Sequence, residues 1–146
     1  MKPYRSYSFY CMKYSQLIGI FCCLSLVAVC TLPWSYVPGI DITLSGINGY
    51  VNDELNFGKQ IIVHSFFSAI LILFFLLPKI WAKRSNIFIA AVNLALAIKN
   101  SILFTFCREG ICPEKRAGIF LLVITCALIQ AMTFFPKMTI TEKNDF

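Results

Sequence analysis

Four long apolar stretches, at residues 15–33, 61–77, 87–106 and 117–135, contain no acidic side chain, and only the third contains a basic one. A helix crossing the hydrocarbon core of a bilayer needs about 20 mainly apolar residues, and each stretch fits that length. Backbone groups in hydrocarbon must be satisfied within the structure, so spanning segments are helices or closed-barrel strands. These stretches are too continuous for the alternating pattern of a barrel strand. Pro33, Pro78 and Pro136 stand at three of the four ends, where a residue without an N–H stops a helix. Composition agrees: 14% of the 146 residues are charged, against about a quarter in a soluble domain.

The predicted fold is therefore all-α: one integral membrane domain over residues 1–146, built as a four-transmembrane-helix bundle. Residues 34–60 and 107–116 form the outer loops and residues 78–86 the cytoplasmic loop. Lys2, Arg5 and Lys13 before the first stretch also suit a signal peptide. A cut needs small residues before it, and Val29 and Phe21 precede Cys30 and Cys22, so the stretch is read as a retained helix.

With the N-terminus inside, the cytoplasmic segments hold Lys2, Arg5, Lys13, Lys79, Lys83, Arg84, Lys137 and Lys143. The outer segments hold Lys59, Arg108, Lys115 and Arg116, a bias of 8 against 4. That is the sense of the positive-inside rule, which places both termini in the cytoplasm. Trp34 and Tyr36 are expected as aromatic anchors of the outer interface and Trp81 of the inner one. The surplus of six positive charges is thus spread along the bilayer. It forms no basic face large enough for nucleic acid.

In the first outer loop, Ile40, Ile42 and Leu44 alternate with Asp41, Thr43 and Ser45, which is strand periodicity. Asn48-Gly49 is a two-residue turn signal, with Tyr50 and Val51 beyond it. The expectation is a short hairpin lying over the bundle. In the second loop Cys107 and Cys112 enclose four residues, among them Gly110. In an oxidising compartment such a pair favours a disulfide joining helices three and four. Redox chemistry is the competing reading, although thiol–disulfide enzymes favour Cys-x-x-Cys near a helix start. A metal site has little support, since His64 is the one histidine and a closed zinc site needs four ligands. No cofactor is implied.

Within the spans the polar candidates are Lys99, Asn100, Asn93, His64 and Gln130. Ala91, Ala95 and Lys99 recur every four residues, and small residues mark a helix-packing face. Lys99 is accordingly expected to point into protein, without a carboxylate in any span to answer it. That leaves an anion, lipid-headgroup or proton-relay site around Lys99 and His64, or a structural lysine bonded to backbone or to a neighbouring subunit.

Three features occur together: the Leu32-Pro33-Trp34 exit, Gly46 and Gly49 in the first loop, and Cys107 to Cys112 followed by Pro113-Glu114-Lys115. In these the chain resembles small uncharacterised four-span inner-membrane proteins of Bacteroidota-type bacteria. The resemblance implies the fold and the bacterial inner membrane, and it transfers no functional residue. The claudin-like fold also has four spans and a β-rich first outer loop, but its Trp…Gly-Leu-Trp…Cys…Cys signature is missing here. The function expected is a non-enzymatic accessory or scaffold subunit of an envelope complex, partnered by the bilayer and by other membrane subunits. A transporter-like or lipid-binding module is the alternative, and an envelope thiol oxidoreductase using Cys107 and Cys112 a minor one.

Overall fold

The computed structural model describes residues 6–52, 55–107 and 110–135, the side chains of 6–13, 52 and 55 excepted. Four helices occupy the apolar stretches: α1 Ser6–Val29, α2 Gln60–Leu76, α3 Ile80–Leu103 and α4 Ala117–Thr133. Five short strands lie between them: β1 Pro33–Val37, β2 Ile42–Ser45, β3 Tyr50–Asn52, β4 Leu55–Asn56 and β5 Glu114–Lys115. Among the described residues α3, with 24, is the one helix long and apolar enough to cross a membrane. The shorter apolar helices are Gln60–Leu76, Ala117–Thr133 and the Tyr14–Val29 part of α1.

Of the two described prolines expected to end helices, Pro78 does so and Pro33 does not. Leu77, just before Pro78, is driven to extended backbone (ψ 122°), and α2 ends there. Helix α3 then starts at once at Ile80, so much of the expected 78–86 loop is helix. No glycine or proline interrupts it, and Ala82, Lys83 and Asn86 are buried. Helix α1 ends at Val29, four residues before Pro33, which opens β1; between them Thr31 and Leu32 donate N–H groups to Ala28 and Val29 in a tightened last turn. Pro136 and the polar tail lie outside the described residues.

The helices pack as a ring, each against its chain neighbours and α1 against α4. At the end far from the strands, two helix C-termini are closed by neighbouring side chains. Lys83 on α3 donates from Nζ to the carbonyls of Phe75 (2.8 Å) and Phe74 (3.4 Å) of α2. Ser15 on α1 donates from Oγ to Phe135 (2.6 Å) and Met132 (3.2 Å) at the end of α4. The last carbonyls of a helix have no partner within it and carry partial negative charge, so a donor there stabilises both helices.

At the opposite end β2, β1 and β5 form an antiparallel sheet in that order. Tyr36 stands opposite Thr43 of β2, and Ser35 opposite Lys115 of β5. The expected hairpin across Asn48-Gly49 is not formed. Its first strand pairs with β1, while Tyr50–Asn52 pairs with Leu55–Asn56 in a separate ladder. A tight type I′ turn needs positive φ at both central residues. Among the described residues positive φ occurs only at Asp41, Gly58 and Gly110. The β1–β2 connection uses Asp41 (φ 52°) instead, its Oδ1 accepting from the Tyr36 hydroxyl at 2.5 Å.

Trp34 corrects a second expectation. It is fully buried, not a ring floating at the interface. Its indole Nε1 donates to the Val29 carbonyl at 3.2 Å. Close approaches at two glycines hold it in place. A Cβ on Gly118 would lie 2.4 Å from the Pro33 carbonyl oxygen, and one on Gly46 would lie 2.8 Å from the indole. Tyr36 is half-buried in β1, beneath the Arg116 guanidinium at 5.3 Å. Trp81 is exposed and packs edge-on against Phe74.

Candidate functional site

Asn86, Asn93 and Asn100 recur every seven residues along α3, and all three are buried. A seven-residue step nearly closes two helical turns, so it keeps them on one face. Ala82, Ala90 and Ala97, also buried, alternate with them and let the neighbouring helices approach closely. Opposite this face, His64 stands one turn into α2, completely buried.

His64 Nδ1 lies 2.7 Å from Asn93 Oδ1, and its Nε2 lies 3.2 Å from Asn100 Nδ2. An amide oxygen only accepts and an amide nitrogen only donates. The imidazole is therefore neutral, with its proton on Nδ1 and its Nε2 lone pair taken. Asn100 Nδ2 also reaches Gln60 Oε1 at 3.3 Å, and the Gln60 amide nitrogen donates to the Phe57 carbonyl at 2.5 Å. Gln60, Ser15, Lys83 and Asn86 were missed in the sequence. The seven-residue spacing was a usable signal for Asn86; nothing local marked the others.

Aromatic rings seal this network beneath the sheet. Trp34 meets His64 edge-on with centroids 6.5 Å apart and meets Phe104 at 5.3 Å. Phe57 covers Phe104 at 4.7 Å. The N-terminus of α2 is tied to the same lid, the Ile61 N–H donating to the Gly46 carbonyl at 2.8 Å.

Of the polar candidates, His64, Asn93 and Asn100 are brought together and Lys99 and Gln130 are not. Among the described residues Gln130 Oε1 is buried without a hydrogen-bond partner, and so are Asn93 Nδ2, Ser68 Oγ and Asn86 Oδ1. Lys99 corrects the sequence expectation: it is exposed, with Ala91 and Ala95 beside it on the outward face of α3. Alternation of small residues marked two stripes on this helix. The bundle closed on the one that also carried the asparagines, where His64 and Gln60 supply amide partners.

Cys107 and Cys112 form a disulfide in the α3–α4 connection, with Gly110 (φ 81°) at the bend. Both cysteines are exposed. It closes a small loop next to β5 rather than reaching into the bundle. Cys22, Cys23, Cys30 and Cys126 are free and buried. Among the described residues no group of three or more His, Cys, Asp or Glu side chains could hold a metal ion. On the sheet, the hydrogen bond to Asp41 and then partial desolvation raise the Tyr36 phenol above its ordinary value.

With both ring nitrogens engaged, His64 offers neither a free lone pair nor a free proton for acid–base chemistry. What the arrangement does is fix the register of α2 against α3 and attach both to the sheet. Comparison with protein-family models, curated proteins and solved structures finds no match to this chain.

Proposed function

We propose that the chain is an integral membrane protein whose four helices all cross a bacterial inner membrane, both termini in the cytoplasm. In this reading it serves as a non-enzymatic accessory or scaffold subunit of a larger envelope complex. The observation that carries the membrane placement is the inverted distribution of polarity in the bundle. His64 and Asn93 are essentially inaccessible, while Phe21 on α1 is 70% exposed, Phe66 on α2 62%, Phe88 on α3 76% and Phe120 on α4 55%. Large apolar side chains thus face outward on every helix. A soluble monomer rarely exposes an apolar patch beyond a few hundred Å². Hydrocarbon makes the same surface favourable.

The 17 residues of α2 and α4 fall at the short end of the spanning range of about 17–25. The strands, whose edges hydrocarbon would leave unsatisfied, lie at one end of the bundle, where water can reach them. The basic-residue bias favours that end facing outward, the compartment in which the Cys107–Cys112 disulfide persists. A non-catalytic role is supported by the closed hydrogen bonding of His64. The transporter-like alternative is weakened because Lys99 faces outward from α3 while His64 lies at its inward face.

The test is alkaline carbonate washing with maleimide labelling of single reporter cysteines in intact cells. The protein should stay in the membrane pellet. A reporter at Asn48→Cys should label from outside and one at Lys79→Cys only after permeabilisation. Release by carbonate, or labelling at both positions in intact cells, would overturn the topology. Co-purification of a stoichiometric partner in mild detergent is expected, and a clean monomer under those conditions counts against the subunit role.

A further inference from the structure

We propose that the outward face of α3 around Lys99 docks one transmembrane helix of a different protein, and that this helix carries an aspartate or glutamate within the bilayer. The proposal rests on the four-span reading above. Lys99 is exposed on the side of α3 opposite the asparagine face, and among the described residues no hydrogen bond or ion pair reaches it. It stands one turn, about 6 Å, before the end of α3 at Leu103. Helix side chains lean towards the N-terminus, which for α3 is the far end, so the ammonium leans deeper and away from the nearer surface.

The rest of the face fits a helix partner. Ala91 and Ala95 precede Lys99 at four-residue steps, so a second backbone can approach closely along them. Phe88 and Ile102, both exposed, flank that groove with large apolar side chains. Of the other basic side chains on α3, Lys83 is bonded to the last carbonyls of α2, and Arg84 is exposed near the far end of the helix.

Charge complementarity selects the occupant. An unpaired ammonium in hydrocarbon is unfavourable, and an anion at the same depth relieves it. The four helical segments of this chain contain no aspartate or glutamate. A second copy packed here through any of its helices would therefore bring no counter-ion. The partner is a helix with apolar flanks and one carboxylate.

Photo-crosslinking in the native membrane tests this, with benzophenone-alanine replacing Ala95, and Ala127 on the exposed face of α4 as the control position. Each is combined with Lys99, Lys99→Met or Lys99→Arg. The expected result is an Ala95 adduct to one other protein, with the crosslinked peptide inside a transmembrane helix that contains Asp or Glu. Lys99→Met should reduce it roughly tenfold or more and Lys99→Arg should retain it. Adducts to phospholipid alone would show that Lys99 meets a headgroup, and adducts to a second copy would show self-association. Either result overturns the proposal, as does a protein adduct of equal yield in Lys99→Met. Carbonate washing of every variant keeps the two readings apart: a protein that washes out overturns the four-span reading, whereas one that stays embedded without the adduct overturns only this one.

Discussion

Lys99 and Asn100 are neighbours in sequence and about 100° apart around α3, and the molecule treats them oppositely. Asn100 is buried and shares its amide with His64 and Gln60. Lys99 is turned outward among apolar side chains. The difference follows from what each group needs. A neutral amide both donates and accepts, so other amides and an imidazole can close its bonding inside a bundle. An ammonium only donates and carries a full charge: Lys83 is buried where the free carbonyls at the end of α2 receive it, and Lys99 has no such acceptors among the described residues. Polarity in an apolar helix therefore does not by itself point inward; the stoichiometry of donors, acceptors and charge decides.

Several substitutions would break or sharpen that contrast, and the largest effect is expected at the lid over the inward face. Trp34→Ala removes a fully buried ring that touches His64 and Phe104. It should cost about 3–5 kcal/mol, read as a lowered unfolding midpoint in detergent. His64→Leu leaves Asn93 Oδ1 and one hydrogen of Asn100 unanswered and should cost about 1–3 kcal/mol. Adding Asn93→Leu to it should recover part of that loss. Strict additivity of the two would show that the inward face is not a coupled network.

Cys107→Ser opens the small loop that follows α3 and should cost about 2 kcal/mol on the chain-entropy estimate. Thiol trapping in native membranes gives the sharper reading there. A disulfide that stays unreactive supports a staple, and cycling between states would revive the redox alternative.

Lys99→Met should change the stability of the isolated chain by no more than about 0.5 kcal/mol, because its side chain makes no contact that the bundle depends on. A loss as large as that of His64→Leu would collapse the distinction between the two faces. The smallest effect belongs to Tyr36, whose phenol is raised above 10.0 chiefly by its bond to Asp41. Its contribution is fully present below the unfolded phenol pKa and is lost as pH rises through the higher folded value. Tyr36 should thus be a late titrator in phenolate absorbance, and Tyr36→Phe should remove that component together with the small stabilisation the hydroxyl already supplies at neutral pH.

Much of the inward face was legible in retrospect. The step of seven from Asn86 to Asn93 to Asn100, with Ala82, Ala90 and Ala97 between, is a helical-face signal written in one segment. The Ala91–Ala95–Lys99 stripe is an equally good local signal, and α3 alone cannot say which stripe the other helices will cover. His64 settled it from α2, and a partner on another helix is invisible to periodicity. The first outer loop failed for a related reason. Ile42–Ser45 and Tyr50–Val51 are strand as expected, but Ile40 and Asp41 lie in the turn, β2 pairs with β1 across it, and β1 pairs with β5 from the far side of two helices.

Local sequence specified the four helices, the end of α2 at Leu77, and the cysteines able to close the second loop. Those are local properties, governed by apolar length, proline and the reach of a short loop. Only the tertiary structure decided that Trp34 is a core residue, that the sheet recruits a strand from the second loop, and that Asn100 goes in while Lys99 goes out. Each depends on partners distant in the chain, and a buried polar group is placed by the partners that satisfy it, not by its own segment.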